Sequence, residues 1–71
     1  GSPYQKKGTP DLLVVAHNGK PCFFEIKQPG KHPTKLQQHR LELLQKRKIT
    51  AEVVHSWAEV SAVLAEVIHK T

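Results

Sequence analysis

The sequence predicts an α/β domain built on a small mixed sheet, with its elements in the order β, β, α, β, α. Three observations predict it. A short apolar run from Leu12 to Ala16 is closed by His17-Asn18-Gly19-Lys20 and followed by an alternating segment, which is the pattern of a β-hairpin. Two later segments, Lys35 to about Arg47 and Ser56 onward, repeat apolar residues at helical spacing. Between them, Ile49 to Val54 sets Ile, Thr and Val in a strand-like alternation. Helices that follow strands in this order suggest one sheet covered by two helices.

Residues 12–16 are too few for a helix and read as a buried strand. The partner strand runs from Pro21 to Lys27. There Cys22, Phe24 and Ile26 point one way while Phe23, Glu25 and Lys27 point the other, because side chains alternate along a strand. Gln28-Pro29-Gly30-Lys31-His32-Pro33 breaks the pattern with two prolines and a glycine and reads as a loop. Thr34 is the expected cap of the first helix, in which Leu36, Leu41, Leu43 and Leu44 share one broad arc with Gln37 and Arg40 inside it. Ser56-Trp57-Ala58-Glu59 is a capping-box signature, and Val60, Val63, Leu64, Val67 and Ile68 give the closing helix its stripe.

The chain has 71 residues, 38% hydrophobic and 24% charged, enough for one core, so residues 3–71 are expected to form a single domain. Gly1-Ser2 reads as a tag remnant, and residues 3–10 read as a basic, extended lead-in. The sequence holds no apolar run of the roughly 18 residues a membrane span needs and no signal peptide. An intracellular protein is expected, in the cytoplasm or the cell of a bacterium or phage host. Cys22, the single cysteine, reads as a small core residue and excludes an intramolecular disulfide or a Cys-based zinc site.

Eleven Lys and Arg against six Asp and Glu give a formal charge of +5, which favours an anionic partner. From Lys27 to Lys48 there are seven basic residues (Lys27, Lys31, Lys35, Arg40, Lys46, Arg47, Lys48) against Glu42 alone, whereas 51–69 holds only acids among its Asp, Glu, Lys and Arg. His17, His32, His39, His55 and His69 have no zinc-site spacing, and His32 is a candidate phosphate contact. Trp57 reads as a core or interface anchor, with base stacking as the other role open to it.

The most informative arrangement is Asp11 at the head of the first strand with Glu25-Ile26-Lys27 at the end of its partner. Alternation puts Glu25 and Lys27 on one face, roughly 7 Å apart. A two-residue turn would set Asp11 opposite Ile26. A three-residue turn with Gly19 at positive φ, which the residue types suit, would set it opposite Lys27. Phosphodiester hydrolysis needs a hard divalent cation to offset transition-state charge, and carboxylate oxygens suit Mg²⁺. A nearby lysine can orient the attacking water and stabilise developing negative charge. An ordinary cross-strand salt bridge is the other reading of these three residues.

At these positions the chain resembles the PD-(D/E)XK nucleases, and more narrowly the virus-type replication-repair nuclease family, VRR-Nuc, over most of residues 8–60. Gly8-Thr9-Pro10-Asp11 is similar to that family's Gly-x-Pro-Asp motif, Phe24-Glu25-Ile26-Lys27 to its hydrophobic-Glu-hydrophobic-Lys strand, and Thr34-Lys35-Leu36-Gln37 to its Ser/Thr-x-x-Gln helix start. The resemblance implies a restriction-endonuclease-like core and an Mg²⁺- or Mn²⁺-dependent deoxyribonuclease. It implies Asp11, Glu25, Lys27 and Gln37 as catalytic residues, Asp11, Glu25 and the Ile26 carbonyl as metal ligands, and Thr34 as a cap. Lys31, His32, Lys35, Lys46, Arg47 and Lys48 are the candidate nucleic-acid contacts.

The chain departs from the family at its front. Members usually carry a helix with a further glutamate before the first strand, and the ten residues preceding Asp11 hold no acid, so the core is expected to lack that helix. The implied substrate is DNA, with branched or four-way (Holliday) junctions and a role in repair as the finer expectation. A small core with an apolar stripe on its last helix and an exposed sheet edge also leads us to expect a homodimer. The reading from another class is a non-catalytic basic module that binds nucleic acid.

Overall fold

The computed structural model describes residues 12–69. It contains β1 (Leu12–Val15), β2 (Pro21–Ile26), α1 (Lys35–Lys46), β3 (Thr50–Val54) and α2 (Trp57–His69). The sheet order is β1-β2-β3, with β1 antiparallel and β3 parallel to the central strand. The expected mixed sheet and ββαβα order are therefore present. A parallel pair cannot be joined by a tight turn, and α1 supplies the crossover from β2 to β3.

The hairpin turn takes its shape from Gly19. Gly19 N–H donates to the Ala16 carbonyl at 2.8 Å and Ala16 N–H to the Lys20 carbonyl at 2.9 Å, which leaves His17, Asn18 and Gly19 as a three-residue loop. Gly19 has φ +86°, a conformation that glycine adopts without a Cβ clash. Asn18 fastens the loop: its Oδ1 accepts from Lys20 N–H and its Nδ2 donates to the Val67 carbonyl. The turn type matches the expectation and the register does not. The strands pair Leu12 with Phe24 and Val15 with Pro21, whereas an Asp11–Lys27 pairing needs Leu12 opposite Ile26. The expectation started the ladder one residue too late on each strand, because Ala16 and Lys20 already exchange a hydrogen bond. A two-residue slip conserves every face. Asp11 lies outside the described residues.

Alternation divides the sheet into two faces. Cys22, Phe24 and Val54 pack with Val60 as the buried core, and Leu12, Val14, Val63, Leu64 and Val67 close around it. The α2 stripe is thus committed to the sheet. Burial pushes the Cys22 thiol pKa up, and the Glu52 carboxylate adds to that, as suits an inert core cysteine. Phe23, Glu25 and Ala51 point to the other side. That side holds buried Glu25 and Ala51 outside the α2 cluster, together with α1, whose one buried residue is Leu41. Gln45 Nε2 ties α1 to β3 by donating to the Ala51 carbonyl at 2.6 Å.

Three expectations about burial need correcting. Leu36 and Arg40 are exposed, because a three-stranded sheet covers only a narrow strip of a helix and the arc they share is wider than that strip. Trp57 is 70% exposed; it opens α2 at the rim of the sheet, so it is not a core anchor. Leu13 and Val15, expected in a buried strand, are 54% and 61% exposed, because β1 is an edge strand and α1, on the side they face, packs against β3 at the other edge.

Candidate active site

Parallel pairing of β2 with β3 sets Glu25 beside Val53 and Ile26 beside Val54, so the carboxyl ends of both strands open at one edge of the sheet. In open α/β sheets this is the edge where ligands bind. Glu25 is 1% exposed. A carboxylate so buried is costly unless a cation, a proton or hydrogen bonds neutralise it, which marks the residue as more than a surface acid. Lys27, half-buried, follows two residues on, and its N–H extends the ladder to the Val54 carbonyl at 3.0 Å. The peptide joining Ile26 to Lys27 is trans and planar. With its N–H directed at β3, its carbonyl, that of Ile26, is directed to the β1 side, beyond the Leu12–Phe24 pair. A buried carboxylate and a backbone carbonyl turned to the β1 side are hard oxygen donors, the set Mg²⁺ or Mn²⁺ prefers. Among the described residues no group of three His, Cys, Asp or Glu forms a metal site, and Asp11, the other carboxylate of the expected set, lies outside them.

Thr34 caps α1 as expected: its side chain accepts from Gln37 N–H at 3.2 Å, and Gln37 Oε1 accepts from Thr34 N–H at 2.9 Å, a complete capping box. The Gln37 oxygen is therefore engaged in starting the helix. Its Nε2 is the part of the half-buried side chain that can serve the site.

The candidate phosphate contacts fall into two groups. Lys31 and His32 are exposed on the loop after β2, and a cleft of about 420 Å³ joins His32 and Lys35 to Thr34, Gln38 and His39. Lys46, Arg47 and Lys48 lie at the other end of α1, about 17 Å from Lys35 at 1.5 Å per residue. Their end of the sheet is the one where Cys22 pairs with Thr50. What reads as one basic run is two patches, and only the first adjoins Glu25 and Lys27.

Sequence reasoning left out the contribution of β3. His55, Ser56 and Trp57 follow β3 and line, with Ile26 and Val60, a pocket of about 230 Å³. The ring of His55 meets the Lys31 carbonyl at 3.4 Å, so the β2 loop and the start of α2 form one rim. The signal was available: a strand-helix-strand order implies parallel pairing, which places the residues after β3 beside those after β2.

No helix among the described residues is long and apolar enough to cross a membrane. No curated protein and no solved structure matches the chain. The family described as the VRR-NUC domain matches residues 4–58, a span that runs from the undescribed front through β1, β2, α1 and β3 to the rim at Trp57. A buried glutamate and a lysine at the open edge of a small mixed sheet, beside a basic loop, thus sit inside a match that covers most of the chain, and the protein belongs to the VRR-NUC domain family, a nuclease-type family whose implied substrate is DNA.

Proposed function

We propose that the protein hydrolyses DNA phosphodiester bonds in a reaction that depends on Mg²⁺ or Mn²⁺. The observation that carries this reading is the burial of Glu25 at the carboxyl edge of β2, immediately before a carbonyl turned to the β1 side and a half-buried lysine. Asp11, Glu25 and the Ile26 carbonyl would hold the metal, which supplies Lewis-acid neutralisation of phosphate charge. The chain's own groups do the rest. Lys27 orients the attacking water and offsets negative charge as it develops. Gln37 positions the site through its amide. Lys31, His32 and Lys35 hold the neighbouring phosphates, contacts that fix register without reading sequence.

The finer reading is a structure-selective enzyme acting on branched or four-way DNA as a homodimer. Its support is the exposed pair Leu13 and Val15 on edge strand β1. An apolar edge of this kind favours association with a second copy. A two-fold pair of sites would then cut two strands, and substrate geometry would replace a specificity domain.

A nicking assay on plasmid and on four-way junction DNA, with Mg²⁺, with Mn²⁺ and with EDTA, tests the activity. Cleavage is expected with either metal and none with EDTA. Cleavage that survives EDTA overturns the metal, and DNA binding with no cleavage in either metal leaves the non-catalytic module. Sedimentation equilibrium tests the assembly, for which a mass near the 8.0 kDa of one chain excludes the dimer.

A further inference from the structure

We propose that the pocket lined by Ile26, His55, Ser56, Trp57 and Val60 receives a single unpaired nucleobase of the DNA strand, stacked on Trp57. The inference rests on the nuclease reading above and sharpens its substrate to strands that can release a base beside the cut. Four observations carry it. Trp57 is the chain's single tryptophan and stands 70% exposed, while Ile26 beside it is 42% exposed. Side chains of this kind are normally covered, and an exposed tryptophan offers a flat π-face on which any base can stack. The pocket, at about 230 Å³, is smaller than the roughly 300–1,000 Å³ of sites for drug-sized ligands and suits one ring system rather than a helix or a loop.

Position is the third observation. Ile26 lies between Glu25 and Lys27, and its side chain leaves the strand on the face opposite Glu25. A nucleotide lying across this edge can direct its phosphate to the Glu25 and Lys27 side and its base to the Trp57 side. Charge is the fourth. No acid lines the pocket. Glu59, the nearest acid on α2, has its carboxylate engaged by the N–H of His55 at 2.6 Å, by the Ser56 hydroxyl and by the His55 ring. The His55 ring also holds the Lys31 carbonyl at 3.4 Å, which keeps a cationic residue on the rim. An exposed aromatic in a pocket without an acid, across the strand from Lys27 and beside the loop that carries Lys31, is complementary to a strand that carries phosphate and base together.

Trp57 itself supplies the readout. With EDTA present to prevent cleavage, oligothymidylate is titrated into the protein while tryptophan emission is followed, and binding is measured in parallel by the anisotropy of labelled DNA. Saturable quenching of most of the emission is expected. Trp57→Ala is expected to weaken oligothymidylate binding about tenfold, in line with a stacking contribution of roughly 1–3 kcal/mol per base, and to leave binding of a fully paired duplex unchanged. Trp57→Phe should restore part of the loss. Unchanged emission at saturating oligothymidylate overturns the proposal, as does an equal loss for both DNAs. A blue shift that grows with protein concentration in the absence of DNA also overturns it, because a second copy then covers Trp57. The nuclease reading fails separately: quenching without cleavage in Mg²⁺ or Mn²⁺ removes the enzyme and keeps the base pocket.

Discussion

At the end of the sheet where β2 begins, polar groups are satisfied locally. Asn18 and Gly19 close the hairpin with their own hydrogen bonds. At the same end α1 stops in a Schellman arrangement, with Lys48 N–H donating to the Gln45 carbonyl and Ile49 N–H to that of Leu44. At the opposite end, where β2 and β3 finish, a carboxylate is 1% exposed and a tryptophan 70% exposed, the reverse of what each residue type prefers. The first end departs from the ordinary rules at Lys48, held at φ 65° in the helix cap, whereas the other breaks two of them within a few residues. Local rule-breaking of this kind is expected at functional sites, and it falls at the end of the sheet that holds the proposed site.

The sharpest way to break this comparison is to remove the chemistry and keep the fold. Glu25→Gln and Lys27→Ala are each expected to lower cleavage by at least about a thousandfold, the scale of about 4 kcal/mol in barrier. Stability should move by only about 1 kcal/mol, since neither change opens an apolar cavity, and affinity for DNA should persist through Lys31, His32 and Lys35. Nicking assays and urea denaturation on the same preparations check both halves. Full activity in either variant removes the site from this end of the sheet.

The next effect is the largest on stability. Phe24 is fully buried between the two ends and anchors the cluster of Cys22, Val54 and Val60. Phe24→Ala is expected to cost about 3–5 kcal/mol, a large part of what a small domain has. Urea denaturation should show it as a lowered midpoint. A loss far below that range would mean the α2 face is loosely packed, and the two ends would then differ in less than their burial suggests.

Much of this was legible in the sequence, and the gaps have physical causes. The alternation of Cys22 and Phe24 against Phe23 and Glu25 reads directly from the residues, since a period of two leaves only one way to bury the apolar set. Gly19 and Thr34 announce a turn and a cap because few residue types satisfy those backbone geometries. Hairpin register was not legible: hydrophobic pattern fixes faces, whereas the starting pair is set by the turn's hydrogen bonds. Exposure of Leu36 and Trp57 was not legible either, because helical periodicity shows which side is apolar and not how much of that side three strands can cover. The separation of Lys31, His32 and Lys35 from Lys46, Arg47 and Lys48 needed the length and direction of α1.

Gln37 belongs to the open end and serves a structural bond as well, so its two roles must be separated. Loss of the capping box by Thr34→Ala is expected to cost about 1 kcal/mol. Gln37→Ala should cost no more than that in stability and yet reduce cleavage further than Thr34→Ala does, if its amide completes the site. Equal cleavage in the two variants would confine Gln37 to the cap.

Lys48 gives the smallest effect and tests the closed end. It has φ 65°, the left-handed conformation that costs a residue with a Cβ roughly 1–2 kcal/mol and glycine almost nothing. Glycine also has more freedom to lose from the unfolded chain, by about 0.4–1 kcal/mol. Lys48→Gly should therefore raise stability by about 0.5–1 kcal/mol, read as a higher urea midpoint. The same change removes one cation from the Lys46, Arg47 and Lys48 patch. If that patch lies on the path of the DNA, the slope of log affinity against log salt should shrink by about 0.9 for the lost phosphate contact, while the cleavage rate of bound DNA stays unchanged. An unchanged slope would place the DNA wholly at the Glu25 and Trp57 end and make Lys48 a basic residue retained in a strained cap with no part in binding. A fall in the cleavage rate of bound DNA would instead couple the two ends through α1, against the division of labour drawn above.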